Sequence, residues 1–363
     1  MRKIQTVMMV FLILVLCCGC AQGVGSKQNK TQETQEEAPE EEAKEQIVVG
    51  FSQLGAESDW RSANTQSMKE TFTAENGYEL IFEDGQQKQA NQMTAIRMFI
   101  QQEVDYIVLA PVTETGWETV LQEAKDAGIP VIIVDRMVDV PDENLFTCWV
   151  GSDFELEGKK MTNWLYQFTQ EQGIAPSDIH IANIQGTIGA SAQIGRSKGL
   201  EDAVKEYGWD LLAEVEGDFT QTKGKEAMEA LLNEYENLNV VYCENDNEAF
   251  GAIEAIEDAG RKAGSDIQNG DIMVLSFDAV NKQALSYALA DKISCVAECN
   301  PLHGPRVQAI IETLEEGKKP DKYEYVEEQV YSANTKVKTL CVDGKVYNVS
   351  ILTPDLIAQK TGE

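Results

Sequence analysis

Ten short apolar runs alternate with amphipathic stretches over residues 47–299, and that alternation leaves the chain few folds. The runs are IVVGF (47–51), ELIFE (79–83), YIVLAP (106–111), VIIVD (131–135) and FTCWVG (146–151). They continue with IHIANIQG (179–186), LLAEVEG (211–217), VVYCEN (240–245), IMVLSFD (272–278) and ISCVAEC (293–299). Between them, stretches such as ANQMTAIRMFIQQEV and GKEAMEALLNEYENL place apolar residues three and four apart, the helical period. A strand that is apolar along its whole length is covered on both faces, which means a parallel sheet with helices on either side. Gly128 before Pro130, Gly208 and Gly260 mark helix ends. Ten strands exceed what one doubly wound sheet comfortably holds, so two α/β lobes of similar build are expected.

In such sheets ligands bind beyond the carboxyl ends of the strands. After the first run come Glu57, Ser58, Asp59, Trp60 and Arg61; after the second, Asp84 and Gly85. Asp135 and Arg136 follow the fourth run, Arg196 the sixth, and Asp218 with Phe219 the seventh. Asn245 and Asp246 follow the eighth, Asp278 ends the ninth, and Glu298 with Asn300 closes the tenth. Trp60 beside Arg61 is, taken alone, equally well explained as a buried anchor. Taken together, aromatics, carboxylates, arginines and amides gather at one kind of place, and packing requires none of them there.

That set of groups suits a sugar. An aromatic ring covers a sugar's C–H face, because the negative π-face meets slightly positive hydrogens. Carboxylates accept from hydroxyls, while arginine and amide N–H groups donate to them, and charge-assisted bonds are the stronger kind. Trp60 from one lobe and Phe219 from the other would form the two walls, with Trp60 exposed until the ligand arrives.

The formal net charge of −31, from 30 basic and 61 acidic side chains, repels nucleic acid phosphates, so no nucleic acid partner is expected. Met1-Arg2-Lys3 followed by the apolar run 7–16 has the form of a signal peptide, too short to span a bilayer comfortably. Gly19-Cys20 after it has the form of a lipobox, with Cys20 as the acylated residue and Cys18 as a competing site. Residues 21–46 hold no strong hydrophobe except Val24 and are expected to be a disordered acidic linker. Acyl chains on Cys20 would tether the protein to the outer face of a cell membrane.

Five cysteines remain beyond the signal region, at 148, 243, 295, 299 and 341. An odd number without close spacing is no disulfide framework, and mostly buried free thiols are expected. With only His180 and His303 in the chain, neither a zinc site nor a Ser-His-Asp or Cys-His set can be assembled, and no cofactor is expected. The GTIGAS stretch lacks the Gly-Lys-Ser/Thr ending of a phosphate loop. Asp135 and Asp278 as a glycosidase pair is disfavoured, since neighbouring arginines suit ionised acceptors rather than a neutral acid.

Residues 47–330 resemble the cluster B, type I periplasmic sugar-binding proteins, and among them the galactofuranose-binding subunit of sugar ABC importers. The strings that carry the resemblance are VGFSQLGAESDWRSA, EDGQQKQANQ, APVTETGWETVLQEAKDAGIPVIIVDR, QGTIGAS, GDFTQTKGKEAME and ECNPLHGP. The resemblance implies stacking by Trp60 and Phe219, polar ligand contacts from Asp135, Arg136, Arg196, Asn245 and Asp278, and Glu298 at a hinge position. Glu57, Arg61 and Asp84 match the galactofuranose subgroup more than the family at large. Trp117, one residue into a helix, reads as core rather than ligand contact.

The fold so implied is α/β: two doubly wound parallel-sheet lobes joined by three crossovers. The N-terminal lobe takes 47–150 plus 300–331, and the C-terminal lobe takes 151–299 plus 332–363, where VDGKV reads as a hairpin turn. The function implied is capture of a monosaccharide in the interlobe cleft by a monomer that closes on it and delivers it to an ABC permease, with no enzymatic step. A sugar or signal receptor feeding a sensor kinase or chemotaxis system would share every feature. A transcription factor's sensor lobe is excluded by the signal segment.

Overall fold

The computed structural model describes residues 46–362. The signal segment 1–20, the lipidation site Cys20 and the linker residues 21–45 lie outside the described residues. Among the described residues, no helix is long and apolar enough to cross a membrane.

The ten apolar runs become ten strands: β1 (Ile47–Gln53), β2 (Tyr78–Asp84), β3 (Tyr106–Leu109), β4 (Val131–Val134), β5 (Cys148–Gly151), β6 (His180–Gln185), β7 (Asp210–Glu216), β8 (Val240–Cys243), β9 (Met273–Asp278) and β10 (Cys295–Glu298). Four more follow: β11 (Tyr323–Tyr325), β12 (Val330–Ser332), β13 (Thr339–Val342) and β14 (Lys345–Ile351). They form two sheets. One has the order β11-β5-β4-β3-β1-β2 and the other β13-β14-β12-β10-β9-β8-β6-β7. Strands β1 to β5 pair in parallel, as do β6 to β10.

The helices that carry the site or the joints between lobes are α1 (Asp59–Thr71), α2 (Gln89–Gln101), α3 (Glu118–Asp126), α4 (Phe154–Glu171), α5 (Ser191–Tyr207), α6 (Gln221–Glu234), α7 (Asp246–Asp258), α8 (Lys282–Leu289), α9 (Gly304–Glu315) and α10 (Pro354–Thr361). The central strands β3, β4, β5 and β8 are buried at every position because both faces are covered, whereas the edge strands β2 and β7 carry exposed acidic residues. In β4, Ile132 and Val134 enter one core cluster while Val131 and Ile133 enter the other. In β8, Val241 and Cys243 face one core, Val240 and Tyr242 the opposite one. Trp117 is fully buried in the first lobe, its indole N–H donating to the Thr113 carbonyl at 2.7 Å.

The chain passes between the sheets three times: between Gly151 and Phe154, between Glu298 and Gly304, and between Tyr325 and Val330. The third passage falls just before β12, which pairs antiparallel with β10, so residues 330–331 join the second sheet rather than the first lobe. Strands β13 and β14 of the tail join that sheet as well. Val342-Asp343-Gly344-Lys345 turns β13 into β14, with φ of 49° at Asp343 and 76° at Gly344, the left-handed pair a two-residue hairpin loop requires. Helix α10 then docks on α8.

Candidate functional site

A narrow cavity of about 20 Å³ lies where the strand ends of the two sheets face each other. Its lining comes from both lobes. Glu57, Ser58, Trp60 and Arg61 lie at the start of α1, where Ser58 Oγ caps the helix by accepting from the Arg61 N–H at 3.2 Å. Asp135 and Arg136 follow β4; Arg196 and Ala192 lie on α5, Phe154 begins α4, and Phe219 follows β7. Asn245 caps α7, Asp278 ends β9, and Cys299 lies on the second crossover.

Three of these residues occupy left-handed backbone conformations: φ is 62° at Asp135, 59° at Phe219 and 100° at Asp278. Such conformations cost roughly 1–3 kcal/mol each without glycine, and they persist where surroundings enforce them. At Asp135, the backbone N–H donates to the Val150 carbonyl and the Trp149 indole donates to the Asp135 carbonyl, each at 2.9 Å. At Phe219, the N–H donates to Glu248 Oε1 at 2.8 Å and the carbonyl accepts from Asn245 Nδ2 at 3.0 Å. The ring lies directly over Gly186, where a Cβ would stand 1.9 Å from its Cζ. Glycine is therefore required at 186 for the ring to sit there.

Charges are paired in two groups. In the first lobe, Arg61 Nη2 lies 2.6 Å from Asp135 Oδ2, and Glu57 Oε1 lies 3.2 Å from both Arg61 Nε and Arg136 Nη2. In the second, Arg196 binds Glu157 Oε2 at 2.8 Å and Asp278 Oδ1 at 3.4 Å. The guanidiniums also lie over aromatic faces. Arg61 is 4.6 Å from the Trp60 ring centre, Arg136 5.1 Å from Phe219, and Arg196 4.8 Å from Phe277. Burial alone would push the Asp135 carboxyl up, but Arg61 and Arg136 outweigh it and hold it below the ordinary carboxylate range. Burial, with Asp246 behind, pushes Asp278 well up despite Arg196. The first-lobe wall thus carries an ionised acceptor, while the second-lobe wall holds a carboxyl that resists ionisation.

Two polar atoms of the lining are buried without a partner: Glu57 Oε2, an acceptor, and Arg61 Nη1, a donor. A buried polar atom left without a partner costs about 1–3 kcal/mol, so one free acceptor and one free donor on these ion-paired groups suit a ligand that offers both. A hydroxyl does.

The lobes are closed over the cavity. The Trp60 indole N–H donates across to the Cys299 carbonyl at 2.7 Å. Asn281 Nδ2 donates to Asp59 Oδ2 at 2.7 Å, the Asp59 N–H donates to Asn247 Oδ1 at 3.0 Å, and the Met137 N–H donates to Ser191 Oγ at 2.9 Å. Trp60 is therefore only 4% exposed, and Phe219 the same.

Residues 49–297 match the family model described as periplasmic binding protein domain. The chain belongs to the periplasmic binding protein family. The galactofuranose-binding protein of Escherichia coli is 39% identical to it over 300 residues, 81% of this chain and 90% of that protein. A solved structure from Mycobacterium smegmatis in complex with β-D-fucofuranose is 36% identical with a TM-score of 0.73, covering 79% of this chain and 91% of that one. The arabinose transporter component from Shewanella sp. ANA-3, bound to α- and β-L-arabinofuranose, is 37% identical with a TM-score of 0.73, covering 80% and 93%.

In this binding protein nine of the eleven residues picked from strand ends line the one cavity: Glu57, Trp60, Arg61, Asp135, Arg136, Arg196, Phe219, Asn245 and Asp278. Asp84 and Glu298 do not. Asp84 is exposed at the end of β2, an edge strand, and its Oδ1 accepts from the Gln86 N–H at 2.8 Å to hold a turn. Glu298 turns away from the cavity. Its Oε2 accepts from the Gln329 N–H at 3.0 Å and the Tyr331 hydroxyl at 3.2 Å, and its Oε1 pairs with Lys360 of α10. Ser58, Phe154, Ala192 and Cys299 line the cavity without having been picked. Phe154 had a usable signal, an aromatic three residues past a strand end, the same sign that marked Phe219. Ser58 and Ala192 had none beyond their place at helix starts.

Proposed function

We propose that the protein captures a neutral monosaccharide in its furanose form, closes over it and hands it to an ABC permease. The observation that carries this reading is the unpaired Glu57 Oε2 and Arg61 Nη1 in a closed cavity walled by Trp60 and Phe219. Free donor and acceptor beside two aromatic faces suit a ring with hydroxyls on its rim and C–H groups on its face. The furanose ligands named for the two solved relatives, and the galactofuranose named for the Escherichia coli protein, support the ring form. In this reading Cys20 carries the lipid that keeps the monomeric protein at the extracytoplasmic face, and residues 21–46 space it from the membrane.

Titration calorimetry with D-galactose, D-fucose, L-arabinose, D-ribose and D-glucose tests the ligand class. Binding with Kd of about a micromolar or tighter is expected for at least one of the first three. NMR of the bound sugar then distinguishes furanose from pyranose. No heat with any of the five would remove the carbohydrate reading. Labelling with radioactive palmitate, compared with a Cys20→Ala variant, tests the anchor.

A further inference from the structure

A buried pair of carboxyl groups joins the cavity to all three crossovers. Glu328 lies on the third crossover. Its Oε1 accepts from Ser152 Oγ on the first crossover and from the Asn300 N–H on the second, each at 2.6 Å. Glu157, on α4, faces Glu328. Carboxylate oxygens of the two, with Cys299 Sγ, lie within 4.8 Å of one another. Glu157 Oε2 accepts from Arg196 Nε at 2.8 Å, and Arg196 lines the cavity. Glu157 Oε1 is buried with no hydrogen-bond donor among the neighbouring side chains.

Two ionised carboxylates do not sit face to face away from water; one of them takes a proton, or a cation sits between them. The surroundings disfavour a metal cation, because Arg196 from α5 and Lys160 from α4 already bring two positive charges, Lys160 donating to the Glu328 carbonyl at 3.2 Å and lying over the Tyr347 ring of β14. Both pull the Glu157 carboxyl down, but burial outweighs them and pushes it up. The third candidate ligand is poor, because burial and then Glu157 and Glu328 push the Cys299 thiol well up, keeping its proton.

We propose that Glu157 and Glu328 share one proton in the closed protein, and that this link makes them positioning residues that tie Arg196 to the crossovers. Placing the proton on Glu328 Oε2 completes the set. Glu328 Oε1 keeps its two donors, Glu328 Oε2–H donates to Glu157 Oε1, and Glu157 Oε2 holds Arg196. Burial pushes both carboxyls up, and Arg196 opposes the rise at Glu157. Opening the lobes moves the crossovers and lets water reach the pair, so the closed form binds the proton more tightly than the open form. Closing therefore takes up a proton, and by linkage a rise in pH through the closed-form value weakens closure and ligand binding together. The proposal rests on the ligand-capture reading for its affinity arm.

The test compares wild type, Glu328→Ala and Glu328→Gln, with D-galactose, D-fucose and L-arabinose as probes, between pH 6 and pH 10. Glu328→Ala removes the acceptor for Ser152 and Asn300 and should weaken binding about 10- to 100-fold at neutral pH. Glu328→Gln keeps that acceptor and gives Glu157 a permanent N–H donor. It should bind within a few-fold of wild type at neutral pH and lack the alkaline fall that wild type shows. A merely structural role for Glu328 would not separate the two pH profiles. Wild-type affinity in Glu328→Ala, or the same alkaline fall in Glu328→Gln, overturns the proposal. If wild type binds none of the three sugars, the ligand reading has failed, and a sugar-free measurement still decides this one. The wild-type melting temperature should fall more steeply above neutral pH than that of Glu328→Gln, and parallel curves overturn the shared proton.

Discussion

Arg61 Nη2 lies 2.6 Å from Asp135 Oδ2, although the two residues are 74 positions apart and belong to a helix start and a strand end separated by a strand. The pair is buried, and Glu57 holds the same guanidinium from its other side. Each group is therefore oriented before any ligand arrives, and the free Nη1 of Arg61 has a fixed direction. Preorganised charge of this kind makes closure over a matching ligand favourable and closure over a poor one costly.

Removing Asp135 should abolish capture. Asp135→Ala leaves Arg61 with Glu57 alone and removes a ligand acceptor, for a loss of about 2–5 kcal/mol in binding. Ligand-induced thermal stabilisation should vanish in Asp135→Ala and shrink in Asp135→Asn, as linkage requires when affinity falls. Full stabilisation in Asp135→Ala would show that the cavity does not take the ligand.

Gly186 and Phe219 should behave as one unit. A methyl group at 186 would stand 1.9 Å from the Phe219 ring, so Gly186→Ala must push the ring out of the cavity wall. Gly186→Ala and Phe219→Ala should each weaken binding by about 1–3 kcal/mol, and the double variant by little more than either alone. Additive losses would mean that Gly186 acts independently of the ring.

Trp117 and Trp60 separate core from site. Trp117→Ala should cost about 3–5 kcal/mol of stability, as core truncations of this size do, and leave sugar affinity unchanged in whatever protein stays folded. Trp60→Phe keeps an aromatic face but loses the 2.7 Å bond to the Cys299 carbonyl that closes the lobes. It should lower affinity while changing the ligand-free melting temperature little. Calorimetry and thermal melts on both variants check the contrast.

His303 should make the fold acid-sensitive. It is fully buried beside Trp60, with ring centres 5.7 Å apart, and burial pulls its pKa down to about 4 from 6.5. The unfolded chain therefore binds a proton that the folded one refuses. The stability this contributes is complete above pH 6.5 and is lost as the pH falls from 6.5 towards 4. A shift of that size corresponds to about 3 kcal/mol. Buried acids act in the opposite sense, because burial raises Glu244 and Asp246 to about 7, so the measurement is a difference. Denaturant melts of wild type and His303→Asn should diverge between pH 6.5 and pH 4, wild type losing more. Parallel curves would mean that His303 ionises freely.

Much was legible in the sequence because strand ends have a chemical signature. The apolar runs marked the ten main strands, since a strand covered on both faces must be apolar throughout. Polar and aromatic residues just past those runs marked the cavity, since packing gives them no reason to be there. Trp117 reads as core because the sequence places it at the start of a helix, and it is the capping residue just before α3. What the sequence could not show was direction. Asp84 and Glu298 sit past strands just as Asp135 and Asp278 do, but β2 is an edge strand, and the Glu298 side chain is drawn to Lys360 and Tyr331.

The sequence by itself determined the element order, the two-lobe α/β build and most of the cavity's residue types, because hydrophobic periodicity and the residues after each strand are local properties. Only the tertiary structure decided which charges pair, which polar atoms stay free and where the tail goes. Those outcomes depend on contacts between residues far apart in the chain. Glu57 meets Arg136 across 79 positions, and Glu328 meets Ser152 across 176. No local pattern records such a meeting, because it exists only once both sheets are built and the three crossovers bring their ends together.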